Sequence, residues 1–260
     1  MNEATVREQI RALEAGRGVL ELEGWGGAEV RGADATAWLD DLVTASVQIL
    51  PPGETVRSLL LGPTGRIRAD VRVARIETGY LLLQGPGQPD PIAVLLDPYV
   101  LSSVITLAPA ALDGLALTPR PGARWAIRFG DSDGVRIGVE AFEAWRVRHA
   151  IPAFPEDVDG DSLPAEAGLD EEPVIDRAKG CYLGQESVAR IRNLGHPRRL
   201  VVPVVAQGSV HIGDRVFSTG VDVGMVTSAD PVGPAAMVRL RWDARLSELT
   251  TGDEVRLTRR

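Results

Sequence analysis

Lys179-Gly180-Cys181-Tyr182-Leu183-Gly184-Gln185-Glu186 holds the only cysteine of the 260-residue chain. Gly180 precedes the thiol and an aromatic residue follows it. Arg177 and Lys179 lie just before it and Arg190 just after. Val188, Ile191 and Leu194 recur at near-helical spacing, and Gly195 followed by Pro197 stops a helix. The cysteine therefore precedes a predicted helix. Helix N–H groups and nearby cations both favour a thiolate. Gly180 and Gly184 allow close backbone approach. The plain alternative is that a lone cysteine packs as a small buried hydrophobe.

A single cysteine forms no internal disulfide, and the first ten residues lack an apolar leader core. The expected location is the reducing cytoplasm. No apolar run is long enough to span a bilayer, so no membrane partner is expected. His149, His196 and His211 stand singly, without metal-ligand spacing, and no metal site is expected. His196, between Gly195 and Pro197, reads as a turn residue. The formal net charge of -8 disfavours stable nucleic-acid binding.

Val6, Ile10 and Leu13 predict a first helix, ended by Gly16 and Gly18. A strand over 19–23 and a turn at Gly24, Gly26 and Gly27 follow. Asp34 reads as the N-cap of a helix carrying Trp38, Leu39, Leu42 and Val43. Residues 56–61 and 67–76 form a predicted hairpin around a turn at 62–65. In its second strand Ile67, Ala69, Val71 and Val73 alternate with Arg66, Arg68, Asp70 and Arg72. One face is then buried and the other wet or ligand-facing. Further strands are predicted at 80–83, 104–107 and 124–129, with a short helix at 92–96. After residue 200 short Val-rich runs alternate with glycine turns, which predicts a small antiparallel barrel.

KGCYLGQE followed by Val188-Ala189-Arg190 resembles the hallmark of YgfZ-type folate-binding proteins, relatives of the glycine-cleavage T-protein. The resemblance extends to Gly32-Ala33-Asp34-Ala35, to Leu61-Gly62-Pro63-Thr64-Gly65-Arg66-Ile67 with Asp70, to Pro164-Ala165-Glu166-Ala167-Gly168, and to Gly224-Met225-Val226-Thr227-Ser228. It implies an α+β fold of three domains in a ring around a central cavity. Its expected parts are a split domain of 1–49 and 141–199, an inserted α+β domain of 50–140, and a C-terminal antiparallel β-barrel of 200–260. It also implies a folate-binding accessory role in iron–sulfur cluster assembly or repair, and through client enzymes in tRNA modification. The expected ligand is tetrahydrofolate or a derivative, and the expected protein partners are iron–sulfur enzymes. Cys181 is then the functional thiol at the cavity edge, with Lys179 beside it. Asp70 meets the pterin, and Gln185, Glu186 and Arg190 belong to the cofactor side.

T-proteins carry R-x-E-x-G-x-P. Here the matching stretch is Arg146-Val147-Arg148-His149-Ala150-Ile151-Pro152. A cation stands where the pterin-holding acid belongs, and it cannot accept the pterin's donors. That departure argues against the alternative function, a folate-dependent aminomethyltransferase or demethylase.

Overall fold

The computed structural model describes residues 3–101, 103–130 and 133–260, and Leu194 without its side chain. Nine strands form one sheet: β1 (Gly18–Glu21), β2 (Gly26–Arg31), β3 (Glu54–Leu61), β4 (Ile67–Ile76), β5 (Gly79–Gln84), β6 (Thr106–Pro109), β7 (Leu115–Thr118), β8 (Arg124–Phe129) and β9 (Val135–Arg136). Their order is β6-β2-β5-β4-β3-β8-β7-β1-β9, antiparallel except where β9 joins β1.

Side-chain alternation divides the sheet's two faces. Val71, Val73 and Leu82 pack under α2 (Ala35–Asp40) and α3 (Ile92–Leu96) with Trp38, Leu39 and Leu96. Ala74, Leu81, Leu83 and Trp125 pack under α1 (Glu3–Glu14) and α4 (Val139–Arg148) with Val6, Ile10, Leu13 and Trp145. Both faces are covered, so Arg72 on the hairpin's polar face is buried rather than wet.

The sheet crosses the expected 49/50 boundary, because β2 pairs with β5 and β6 and β1 pairs with β7. The division of 1–49 from 50–140 is therefore not a division of the sheet. Gly24 makes the expected turn at φ +75, whereas Gly26 and Gly27 begin β2. A Cβ on Gly27 would stand 2.7 Å from the Leu112 side chain, so this strand uses glycine for close packing. Asp34 occupies the position before α2 without a side-chain cap; its Oδ2 accepts a bond from the Val104 N–H at 2.7 Å.

The C-terminal barrel is closed, in the order β10 (Arg199–Ala206), β13 (Ala235–Arg241), β12 (Val221–Ala229), β11 (Arg215–Ser218), β14 (Leu249–Thr251), β15 (Arg256–Arg259). Closure removes exposed edges and buries Val204, Val216, Val226 and Val238. The barrel docks through Thr227 and Ser228, whose hydroxyls donate to Asp157 Oδ1 at 2.6 and 2.7 Å. Asp157 is fully buried and its Oδ2 accepts from Arg146 Nη1 at 2.9 Å.

Removing one partner of a buried pair leaves an uncompensated charge, a loss of about 3–5 kcal/mol. Asp157→Ala is expected to lower stability by about that much in urea unfolding. Asp222→Ala, which breaks the exposed pair with Arg215, is expected to cost less than about 1 kcal/mol.

Candidate functional site

The hairpin of β3 and β4 and helix α4 with its following loop enclose a cavity of about 530 Å³. That volume suits a small organic ligand. Asp70, Arg57, Arg72, Trp125, Phe142, Glu143 and Glu156 line it. Its lining comes from the first 156 residues, and the barrel supports it only from behind.

Asp70 lies on the cavity wall, and its partner is Arg57 of the neighbouring strand β3. Arg57 Nε donates to both Asp70 oxygens at 3.1 Å, and Arg57 Nη2 donates to Asp70 and to the Pro152 carbonyl. Glu143 accepts from Arg146 Nε at 2.8 Å through both oxygens. Burial raises the pKa of Glu156. Phe142 meets Trp125 edge-on, with centroids 5.8 Å apart, giving the cavity an aromatic wall.

Arg72 stacks on Trp125, its guanidinium carbon 3.1 Å from the ring centroid. Burial, together with the Arg57 charge, holds its pKa well below the ordinary arginine value, against the pull of Asp70. Trp125 is 2% exposed, and its indole Nε1 has no hydrogen-bond acceptor.

The KGC segment lies elsewhere. Gln185 begins α5 (Gln185–Leu194), after Gly184 in a left-handed conformation. A Cβ at Gly184 would stand 2.5 Å from the Gly62 carbonyl and 3.3 Å from the Gly65 Cα. The two glycine-containing motifs of the sequence thus dock on each other, which only glycine permits. Gln185 and Glu186 line a separate cleft of about 270 Å³ with Asp176, Tyr182 and Arg192. Arg190 is exposed on α5 and lines neither space. Cys181 is exposed and lines neither space as well. The expectation that it sits at the cavity edge does not match this geometry, and Gln185, Glu186 and Arg190 do not join Asp70 around one ligand.

Lys179 is a structural cation rather than a partner of the thiol. Its side chain is 2% exposed, and Nζ donates to the carbonyls of Asp40, Val43 at 2.8 Å and Ala45 at 3.0 Å. It stands 3.5 Å from Asp40 Oδ1. Burial lowers its pKa, and Asp40 partly offsets that. It satisfies the Asp40 carbonyl at the C-terminal end of α2 and the Val43 and Ala45 carbonyls of the segment that follows. Arg177 is engaged by Glu171 and by the Asp170 carbonyl.

Arg148, at the family's acid position, turns away from the cavity to Asp230, 2.7 Å distant. Glu143, one helical turn from Arg146, supplies a cavity carboxylate instead. Ala150 holds φ +53, a conformation that glycine adopts more readily than alanine. His149 packs on Trp145 with centroids 4.9 Å apart, and His196 stacks on Trp242 at 4.7 Å. Neither lines the cavity. The sequence puts Arg72 on the hairpin's wet or ligand-facing side without giving it a role; it does not single out Arg57, Trp125 or Glu143, although arginines repeat across the hairpin.

A layered α/β body with an enclosed carboxylate-bearing cavity and a closed barrel defines a T-protein-like fold. Residues 2–96 match the GCVT N-terminal domain family. An aminomethyltransferase of Geobacillus kaustophilus is 25% identical, over 86% of this chain and 78% of that protein. A mitochondrial iron-sulfur cluster assembly factor IBA57 homolog of Aspergillus oryzae is 30% identical over 45% of this chain and 26% of that protein. The crystal structure of glycine cleavage system aminomethyltransferase T from Bartonella henselae superposes with a TM-score of 0.77 at 17% identity, over 96% of this chain and 88% of that one. The N-terminal third of the chain thus matches the GCVT N-terminal domain, and the whole chain shares the T-protein fold. Among the described residues no helix is long and apolar enough to cross a membrane.

Lys179→Met is expected to destabilise the fold by about 3 kcal/mol, because Asp40 and three carbonyls lose their donor. The alkylation rate of Cys181 in the folded variant is expected to equal that of the parent, and the native parent thiol is expected to react without unfolding. Thiol trapping with iodoacetamide, paired with urea melts, checks both.

Proposed function

We propose that this chain is an accessory protein for iron–sulfur enzymes that binds a reduced folate in the cavity and offers Cys181 to a protein partner. The observation that carries this reading is the separation of the two regions. Asp70 and Glu143 line the cavity, whereas the one thiol is exposed and lines neither the cavity nor the cleft beside α5. An exposed thiol outside the cavity is accessible to a macromolecule, not reserved for a small molecule bound within.

The cavity's chemistry fits a reduced pterin. Its flat ring presents amino and ring N–H donors, which carboxylates accept. Asp70 and Glu143 supply acceptors, and Trp125 and Phe142 supply an aromatic wall. The GCVT N-terminal domain match supports folate as the ligand class, and the similarity to the IBA57 homolog supports the iron–sulfur role. A bound reduced folate supplies a one-carbon carrier. The effect on tRNA modification then runs through cluster-dependent client enzymes. A free exposed thiol suits a reducing compartment such as the cytoplasm.

The second reading, an aminomethyltransferase, draws on the Geobacillus relative, which aligns over most of both chains. Arg148 counts against it, since that side chain is committed to Asp230.

Two measurements separate these readings. Tetrahydrofolate is expected to bind in calorimetry, and Asp70→Asn to weaken it about tenfold, one charge-assisted bond's worth. Cys181→Ser is expected to leave that affinity unchanged while lowering iron–sulfur enzyme activities in complemented cells. Loss of folate binding in Cys181→Ser would place the thiol in the ligand site. Turnover of an aminomethyl donor to methylenetetrahydrofolate would favour the transferase.

A further inference from the structure

Two groups on the cavity wall have more capacity than the protein uses. Trp125 is 2% exposed, and its indole N–H has no acceptor. Arg72 is 5% exposed and donates from Nη1 to the Ala123 carbonyl at 3.1 Å. Among the described residues no carboxylate stands at ion-pair distance from it. The nearby carboxylate, Asp70, is taken by Arg57, so two buried guanidinium groups face one acid.

An unanswered buried donor costs free energy, and an uncompensated buried charge costs more. Both groups line the same cavity, and they touch each other through the cation–π stack. Together they mark a place for an electron-rich acceptor atom. The lowered pKa of Arg72 agrees with a guanidinium whose counter-charge is absent from the protein.

We propose that Arg72 and Trp125 form a subsite that reads the 4-oxo edge of a reduced pterin, so that the cavity accepts 4-oxopteridines and rejects 4-aminopteridines. This rests on the folate reading above and adds a direction to it. The 4-oxo oxygen accepts hydrogen bonds, which both groups can donate. A 4-amino group in the same place is a donor facing donors. The diamino ring also protonates more readily, which sets a cation against Arg72. Arg57 and Arg146 already neutralise the charges of Asp70 and Glu143, so these acids can accept the amino and ring donors common to both rings without rewarding the extra positive charge of the protonated one. Three further carboxylates line the wall: Glu21 is paired with Arg136, Glu23 is exposed to solvent, which screens its charge, and burial favours the neutral form of Glu156. Sites that hydrogen-bond one substrate group reject analogues lacking it far more strongly than apolar pockets do.

The test is calorimetric titration of the whole chain with tetrahydrofolate and, separately, with tetrahydroaminopterin, its 4-amino counterpart, both under reducing conditions. Tetrahydrofolate is expected to bind at least about a hundredfold tighter. Trp125→Phe keeps the aromatic wall and the stacking surface for Arg72 while deleting the N–H. It is expected to weaken tetrahydrofolate about tenfold and leave the analogue unchanged. Arg72→Met deletes the charge, but burial of Arg72 makes it the riskier variant for folding, so Trp125→Phe decides. Equal or tighter binding of the analogue to the parent overturns the proposal. So does a Trp125→Phe variant that weakens both ligands alike. Absence of heat with tetrahydrofolate overturns the folate reading, and this inference with it.

Discussion

A guanidinium that is 3% exposed needs its donors answered inside the protein, and Arg146 answers them with three parts of the structure. Its Nε holds Glu143 on the cavity wall, Nη1 holds Asp157 in the loop after α4, and Nη2 donates to Ser228 of the barrel at 2.8 Å. Cavity, loop and barrel therefore share one charge. Asp157 receives the Thr227 and Ser228 hydroxyls on its other oxygen, which leaves the network with few unmet bonds. Buried networks of this kind are costly when incomplete and specific when complete. The barrel fixes the far side of Arg146, and Arg146 fixes the orientation of Glu143.

The second fixed element is the junction of hairpin and KGC segment. Gly184 touches the backbone of Gly62 and Gly65, and Ser187 Oγ donates to the Pro63 carbonyl at 3.3 Å. Lys179 anchors the other end of the segment beneath α2. Cys181 lies between these two anchors and stays exposed. The residues that make the motif distinctive thus position the thiol; they do not surround it with charge.

Much of this was legible in the sequence because local pattern and structure agree. The two-residue alternation of 67–76 gives β4, and the spacing of Val6, Ile10 and Leu13 gives α1. The Val-rich runs give the longer barrel strands. What escaped were short or glycine-rich strands, β2, β7, β9, β11 and β14, which have too few residues to show a period. Asp70 was legible as a cavity residue, but its partner Arg57 was not. Register sets Arg57 opposite Arg72 and Leu59 opposite Asp70, and register is a long-range property. Lys179 looked like an activating cation because it lies near Cys181 in sequence. Its side chain instead follows carbonyls at the end of α2 and just beyond it, more than a hundred residues earlier in the chain. The break at 49/50 failed for a similar reason: Pro51, Pro52 and Gly53 mark a turn into β3, and the sheet carries on across them.

The central claim is that the ligand cavity and the thiol segment are separate regions of one fold. Hydrogen–deuterium exchange with and without tetrahydrofolate tests it most directly. Protection is expected in β3, β4 and α4 and in the loop bearing Glu156, with exchange across 179–192 unchanged. Protection concentrated in 179–192, with the β3–β4 hairpin and α4 unaffected, would contradict the account.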